Sequence, residues 1–303
     1  MFQIDKTAGV PTFAPMKSSA IPRPDWLRAP LPSGETYGRV HRAVHGLHLS
    51  TVCEEARCPN RGECWNSGTA TFLILGNSCT RGCRFCAVHT SPLPSPPPPD
   101  EPARVVCAAH AMALSYVVVT SVTRDDLPDG GASVFADVIS ALKTMPSSPL
   151  VEVLTPDYTG EPLQRVLRET PDVFAHNVEV VERLSPRMRH SRFTFAGSLR
   201  CLEEAATLGH PITKSSIMLG IGETGDEVLA AMAQLRSVGV KLLVLGQYLQ
   251  PTAANAPVER YVHPDEFADL ARRGEEMGFS FVAAGPLVRT SYRAAEAFVK
   301  SRR

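Results

Sequence analysis

Short apolar, β-branched runs alternate along this chain with segments whose apolar residues recur at helical spacing. Runs at Thr71–Leu75, Tyr116–Thr120, Leu150–Leu154, Val173–Asn177, Ser216–Leu219, Leu242–Leu245 and Phe279–Ala283 predict strands. Pro102–Leu114, Ala132–Thr144, Glu161–Glu169, Ser198–Leu208, Thr224–Ser237 and His263–Met277 predict helices between them. In the fifth helix, Thr224 and Glu227 fit a capping box that satisfies free N–H groups of the first turn. Val228, Met232 and Leu235 then share one face, and Gly239 supplies a stop. Such alternation predicts a parallel sheet, and repeated right-handed crossovers curl it. The expected fold class is α/β: a partial TIM-like (β/α)6 barrel over residues 65–283, an N-terminal extension over 1–64 and a C-terminal segment over 284–303.

Active sites of such folds lie at the C-terminal ends of the strands. The polar segments expected there are Asn77–Cys86, Ser121–Gly131, Thr155–Asp157, a group of His176, Asn177 and Glu179, then Gly220–Thr224 and Gln247–Thr252. Each is equally readable as a turn. Pro92, Pro94 and Pro96–Pro99 form a stiff spacer.

Composition narrows the function classes. The 303 residues are 44% hydrophobic and 20% charged, ordinary for a globular domain. Lys plus Arg equals Asp plus Glu at 31 each, so no global field draws nucleic acid or an anionic membrane. No apolar run approaches the roughly 18 residues of a membrane span, and no secretory core is present. The start of the chain, with Lys6, Lys17 and Arg23, reads as a flexible leader. The expected compartment is the cytoplasm, with an organelle matrix as the other reading.

Six of the eight cysteines fall between Cys53 and Cys86, which in a non-secreted chain reads as metal or redox chemistry. Cys79-x3-Cys83-x2-Cys86 sits in a polar loop, and three thiolates there suit three irons of a [4Fe–4S] cluster. The fourth iron is then left open to a small molecule. Zinc is the competing reading, with His89 completing a Cys3His site. Cys53-x4-Cys58-x5-Cys64 forms a second triad, read as loop from Pro59, Asn60 and Gly62. Cys107 and Cys201 fall in helical patterns and read as small core residues. Arg183, Arg187, Arg189 and Arg192 form a basic group, suited to an acidic carrier surface, to anionic groups of a cofactor, or to a solvated face.

The three-cysteine spacing resembles that of radical S-adenosylmethionine enzymes. The second triad, Cys53-Glu-Glu-Ala-Arg-Cys58-Pro-Asn-Arg-Gly-Glu-Cys64-Trp, resembles the auxiliary-cluster motif of the lipoyl synthase family. So do Thr69–Leu75, Val119–Gly131, Leu154–Asp157, Lys214–Thr224, Gly246–Pro251, Val258–Phe267 and Gly285–Tyr292, covering about residues 24–295. The resemblance implies that Cys79, Cys83 and Cys86 bind the catalytic cluster, whose open iron takes S-adenosyl-L-methionine. Cys53, Cys58 and Cys64 would bind a second [4Fe–4S] cluster, with Ser291 as its fourth ligand. Asn177, Glu179 and Lys214 are assigned to cofactor binding. The family's Arg-Ser-Ser-Tyr reads Arg289-Thr290-Ser291-Tyr292 here, with Arg293 where histidine is usual and Ala87 where many members have aspartate.

The implied reaction is sulfur insertion by a sulfurtransferase. The substrate is an octanoyl chain on a lysine of a lipoyl carrier domain, such as a 2-oxo acid dehydrogenase E2 subunit or the glycine cleavage H protein. Its C6 and C8 hydrogens are not acidic, so a 5′-deoxyadenosyl radical must abstract them. The auxiliary cluster supplies the sulfur. Further implied partners are a reductant such as ferredoxin or flavodoxin and a cluster-carrier protein. Two other readings share part of the pattern: a biotin-synthase-like sulfur-inserting enzyme, and an electron carrier without a substrate.

Overall fold

The computed structural model describes residues 21–28, 34–67, 69–209, 212–291 and 298; most of the expected leader, with Tyr292 and Arg293, lies outside them. Helix α1 (Glu35–Gly46) leads through β1 (Ser50–Thr51) to two short helices, α2 (Val52–Glu55) and α3 (Arg61–Asn66). After β2 (Thr71–Ile74) comes a small ribbon of β3 (Ser78–Cys79) and β4 (His89–Thr90). Helix and strand then alternate: α4 (Glu101–Ala111), β5 (Tyr116–Ser121), α5 (Ala132–Lys143), β6 (Leu150–Leu154), α6 (Glu161–Arg168) and β7 (Val173–Ala175). The short α7 (Ser185–Met188) precedes α8 (Phe195–Thr207), β8 (Thr213–Leu219), α9 (Gly225–Ser237), β9 (Leu242–Gln247), α10 (Pro264–Glu276) and β10 (Phe281–Gly285).

The large sheet has the order β1-β2-β5-β6-β7-β8-β9-β10. Its pairs are parallel except β1 against β2. Among the described residues β1 and β10 are unpaired edges, so the barrel is open, as expected of a partial one. The capping box of α9 forms as read, with Thr224 accepting from Glu227 N–H. Among the described residues, no helix is long and apolar enough to cross a membrane.

Alternation along the strands sorts the two faces. Phe72, Ile74, Val117, Val119, Val151 and Val153 pack outward against Phe135, Ile139 and Leu163 of the helices. Burying each such side chain contributes about 1.5–3 kcal/mol. The opposite phase fills the barrel. At its N-terminal end Tyr116, Val118, Val173 and Leu242 close around Phe298. Toward the C-terminal end the inward residues Thr120 and Ser216 are small and polar, which leaves room there.

Candidate active site

Strand β2 ends in a forced turn. Leu75 adopts φ +68°, a region costly for leucine. The Glu101 carboxylate accepts its N–H at 2.7 Å, and Arg124 donates to its carbonyl at 3.0 Å. Burial raises the Glu101 pKa, against the pull of the Leu75 and Gly76 N–H groups. The turn launches the cysteine loop over the strand ends. There Cys79, Cys83 and Cys86 line one cavity with Thr120–Thr123, Thr155, His176, Asn177, Glu179 and Arg189.

Main-chain N–H groups point at the sulfurs. Arg81 and Thr123 donate to Cys79 Sγ at 3.3 and 3.4 Å, and His190 donates to Cys83 Sγ at 3.4 Å. Burial pushes Cys83 up to about 11 and Cys86 up to about 12. As bare thiols they stay protonated, whereas a bound metal ion would deprotonate them outright. His89 is exposed, meets Ser78 Oγ at 3.1 Å and does not line the cavity. The zinc reading thereby loses its fourth ligand. Among the described residues no three His, Cys, Asp or Glu side chains converge as ligands of a single ion would. A cluster makes no such demand, because it takes one thiolate per iron.

The cavity wall is a hydrogen-bonded series. His176 Nδ1 donates to Thr155 O at 2.9 Å, and its Nε2 accepts from Ser198 Oγ at 2.8 Å. Ser198 Oγ in turn accepts from Arg189 at 2.7 Å. Burial, reinforced by Arg189, holds His176 down at about 4, so the ring is neutral and the series has one sense. Glu179 follows a break after β7, at φ +67°, and its pKa is raised by loss of water, against the pull of Arg189 and Asn177. Asn177 donates to Glu179 at 3.2 Å and to Thr290 Oγ1 at 3.1 Å. Phe193 lies between two guanidiniums, Arg81 at 4.1 Å and Arg189 at 4.5 Å from its ring centre. Arg81 is tied to Asp125 and Asp157 at 2.7 and 2.9 Å.

Four buried polar atoms on this wall have no partner: Ser121 Oγ, Thr155 Oγ1, Asn177 Oδ1 and Arg189 Nε. Buried polar groups are almost always satisfied. All four belong to residues that line the one cavity, and this reserve of hydroxyl, amide and guanidinium groups fits a polar, zwitterionic ligand such as S-adenosyl-L-methionine.

Lys214 corrects the expectation placed on it. It is 1% exposed near the start of β8, in register with Leu242, and its Nζ meets both oxygens of Glu152 at 2.8 and 3.0 Å. Tyr116 donates to the same carboxylate at 2.7 Å. This network belongs to the N-terminal end of the barrel, and Lys214 does not line the cavity. The basic group also divides. Arg189 enters the wall, Arg183 pairs with Glu227, Arg192 pairs with Asp125, and Arg187 stays exposed. Of the strand-end segments, Gly220–Thr224 and Gln247–Thr252 line no part of this cavity.

The second triad is more helical than its Pro, Asn and Gly suggest: Cys53 lies on α2 and Cys64 on α3, and only Cys58 is in the connecting loop. Cys53 is buried, which raises its pKa, and it receives the Thr71 N–H. The C-terminal segment reaches the same place. Beyond β10 it passes over Gly246, where a Cβ would stand 2.3 Å from Val288 O, so only glycine admits the crossing. Thr290 then donates to Ser216 Oγ at 3.1 Å, and Thr71 donates to Ser291 Oγ at 2.8 Å. Thr71 therefore touches both the Cys53 thiol and the Ser291 hydroxyl. Asn60, between Cys58 and Cys64, donates to Leu287 O and ties the two segments together. Arg289 is also drawn in: loss of water lowers its pKa, and Cys58 acts against that shift.

Sequence reading missed Asn255. Its side-chain N–H2 donates to Cys86 O at 2.8 Å and Arg84 O at 3.2 Å, and Ala256 N–H also donates to Arg84 O. Thr252 Oγ1 orients the amide by donating to Asn255 Oδ1 at 2.7 Å. Asn255→Ala is expected to loosen the Cys83–Cys86 turn at a cost of about 1–3 kcal/mol. The check is the electron paramagnetic resonance of the first cluster, with Asn255→Gln restoring part of the wild-type spectrum. An unchanged spectrum in Asn255→Ala would remove Asn255 from this role.

Comparison with known proteins agrees with this geometry. Residues 73–235 match the model of the Radical SAM superfamily, and residues 13–58 match the N-terminal domain of lipoyl synthase of the Radical SAM family. The lipoyl synthase of Anaeromyxobacter dehalogenans is 51% identical over 281 residues, covering 92% of this chain and 95% of that protein. The lipoyl synthase of Thermus thermophilus is 50% identical over 282 residues, covering 92% and 87%. A chloroplastic lipoyl synthase of Ricinus communis is 49% identical over 289 residues, covering 93% and 79%. Among solved structures, the FeFe-hydrogenase maturase HydG from Carboxydothermus hydrogenoformans superposes with a TM-score of 0.58 at 14% identity, over 75% of this chain and 56% of that one, a likeness of fold alone. With half of its residues shared along nearly its whole length, and with both triads folded onto one barrel, the chain belongs to the lipoyl synthase family of radical S-adenosylmethionine enzymes.

Proposed function

We propose that this chain inserts sulfur at C6 and C8 of an octanoyl chain held on a lipoyl carrier domain, yielding the lipoyl cofactor. The observation that carries the reading is the meeting at Thr71 of Cys53 from the N-terminal extension and Ser291 from the C-terminal segment, beside a barrel whose mouth holds the other triad. Cys79, Cys83 and Cys86 would hold one [4Fe–4S] cluster; Cys53, Cys58, Cys64 and Ser291 would hold the other. When bound, the first cluster with S-adenosyl-L-methionine supplies a radical able to take hydrogen from an unactivated carbon, and the second supplies sulfur.

The chain's own residues prepare the site. Arg189, fixed by Ser198 and neutral His176, brings a guanidinium charge to the cavity wall, suited to a carboxylate. Asn177 and Glu179 present an amide oxygen and a carboxylate to hydroxyl or ammonium groups. Small side chains at Thr120 and Ser216 leave a passage for an acyl chain. A hydroxyl ligand at Ser291 binds iron more weakly than a thiolate, which suits a cluster that is dismantled in use.

The partners follow from this chemistry: octanoylated E2 subunits or H protein, a ferredoxin or flavodoxin as reductant, and a cluster-carrier protein. Free ligand thiols call for a reducing compartment, the cytoplasm or an organelle matrix.

The test is anaerobic reconstitution with dithionite, S-adenosyl-L-methionine and an octanoylated lipoyl-domain peptide. The expected result is about eight irons per chain, 5′-deoxyadenosine, and a peptide that gains two sulfurs. Deoxyadenosine with an unmodified peptide would keep the radical chemistry and discard the substrate.

A further inference from the structure

The outer side of the Cys79–Cys86 loop carries two features that the reaction in the cavity does not use. The first is Leu93. At 85% exposure it is by far the most exposed of the large hydrophobic residues among those described. It stands at a bend between Pro92 and Pro94, whose rings fix φ on either side and lower the entropic cost of presenting it. The arm that bears it is fastened to the cluster loop, since Ser91 N–H donates to Cys79 O at 2.9 Å.

The second is a pair of free guanidiniums. Arg84 stands between Cys83 and Cys86 in the chain and is exposed. Its N–H donates to Met188 O at 2.8 Å, which brings the exposed Arg187 beside it. Among the described residues neither side chain has an ion pair or hydrogen bond. Their neighbours do: Arg81 and Arg192 share Asp125, and Arg183 takes Glu227. The chain as a whole is electrically balanced, so this positive charge is local.

We propose that Leu93, Arg84 and Arg187 form the docking surface for an acidic electron-carrier protein that reduces the first cluster. The inference rests on the reading that Cys79, Cys83 and Cys86 hold that cluster. An apolar anchor on a proline-flanked arm and unpaired arginines, both tied to the same cysteine loop, match how protein interfaces concentrate their binding energy. The unpaired charges select an anionic partner and speed its approach. An electron donor fits better than the acylated carrier domain. None of the three residues lines the cavity, which the acyl chain must enter. A donor needs only the outer wall of the loop.

The experiment uses the reconstituted full chain and follows 5′-deoxyadenosine with two reductants, reduced flavodoxin and dithionite. The variants are Leu93→Asp, Arg84→Glu and Arg187→Glu, singly and combined. The flavodoxin-driven rate of the combined variant is expected to fall by about tenfold or more, and the wild-type flavodoxin-driven rate to fall with added salt. The dithionite-driven rate should stay within about twofold of wild type, since dithionite needs no docking surface. An unchanged flavodoxin-driven rate would overturn the proposal. So would equal loss with both reductants, which would make the face structural. A raised KM for the octanoylated domain at an undiminished flavodoxin-driven rate would reassign the face to the acyl carrier. A wild-type chain inactive with dithionite would instead remove the cluster reading on which the surface depends.

Discussion

Cys53→Ala is expected to hold about four irons in place of about eight, to release 5′-deoxyadenosine, and to add no sulfur to the peptide. The separation of effects follows from how the triads are held. Cys79 and Cys83 take their N–H donors from Arg81, Thr123 and His190, Cys86 takes its donor from Val88, and their loop is fastened by Asn255. None of these comes from residues 53–64. Cys53 depends instead on α2, Thr71 and the C-terminal crossing. Its loss removes a small buried side chain and should cost about 1–2 kcal/mol, too little to unfold a domain of this size. The chemical effect is therefore complete where the structural one is slight. Iron and sulfide content, deoxyadenosine and peptide mass on one sample decide it. If sulfur still appears in the peptide, the second triad is not its source.

Most of the barrel was legible in the sequence, because its signals are local. β6 begins and ends where the apolar run Leu150–Leu154 does, and α9 starts at the capping box read from Thr224 and Glu227. The first cysteine triad announced itself by spacing, and the second gained its meaning from standing next to the first. Other features had no local signal. Helix α1 turns only Val40 and Val44 fully inward, too few apolar positions to mark a helix. Asn60, Gly62 and Pro59 are turn residues by preference, yet tertiary contacts extend helix α3 through Cys64. Arg189, Phe193 and Asn255 reach the site across large sequence separations, and each looks like an ordinary loop or surface residue alone. The resemblance supplied Ser291, and the fold supplies what brings it near the triad: a glycine at 246 that lets the C-terminal segment cross.

Lys214→Met is expected to destabilise the fold by about 3–5 kcal/mol while leaving S-adenosyl-L-methionine affinity of the folded protein unchanged. Lys214 sits in a conspicuous motif and a lysine invites a functional role, so the sequence alone favoured cofactor binding. Register decides otherwise. Lys214 pairs with Ala175 on β7, next to the cavity residue His176, yet its side chain turns away to Glu152, which pairs with Val118 and Val173 in the layer around Phe298. Both partners are almost fully buried, at 1% and 0% exposure. Removing the ammonium leaves a carboxylate in the barrel floor with Tyr116 as its one remaining side-chain donor among the described residues. The uncompensated charge, more than the lost pair, sets the size of the effect. Adding Glu152→Gln to Lys214→Met should therefore recover most of the loss, because the amide oxygen still accepts from Tyr116 and no charge remains. Thermal unfolding of the two variants measures this, with a shift on the order of 10 °C for the single substitution. A single variant that melts like wild type but binds S-adenosyl-L-methionine weakly would return Lys214 to the cofactor site.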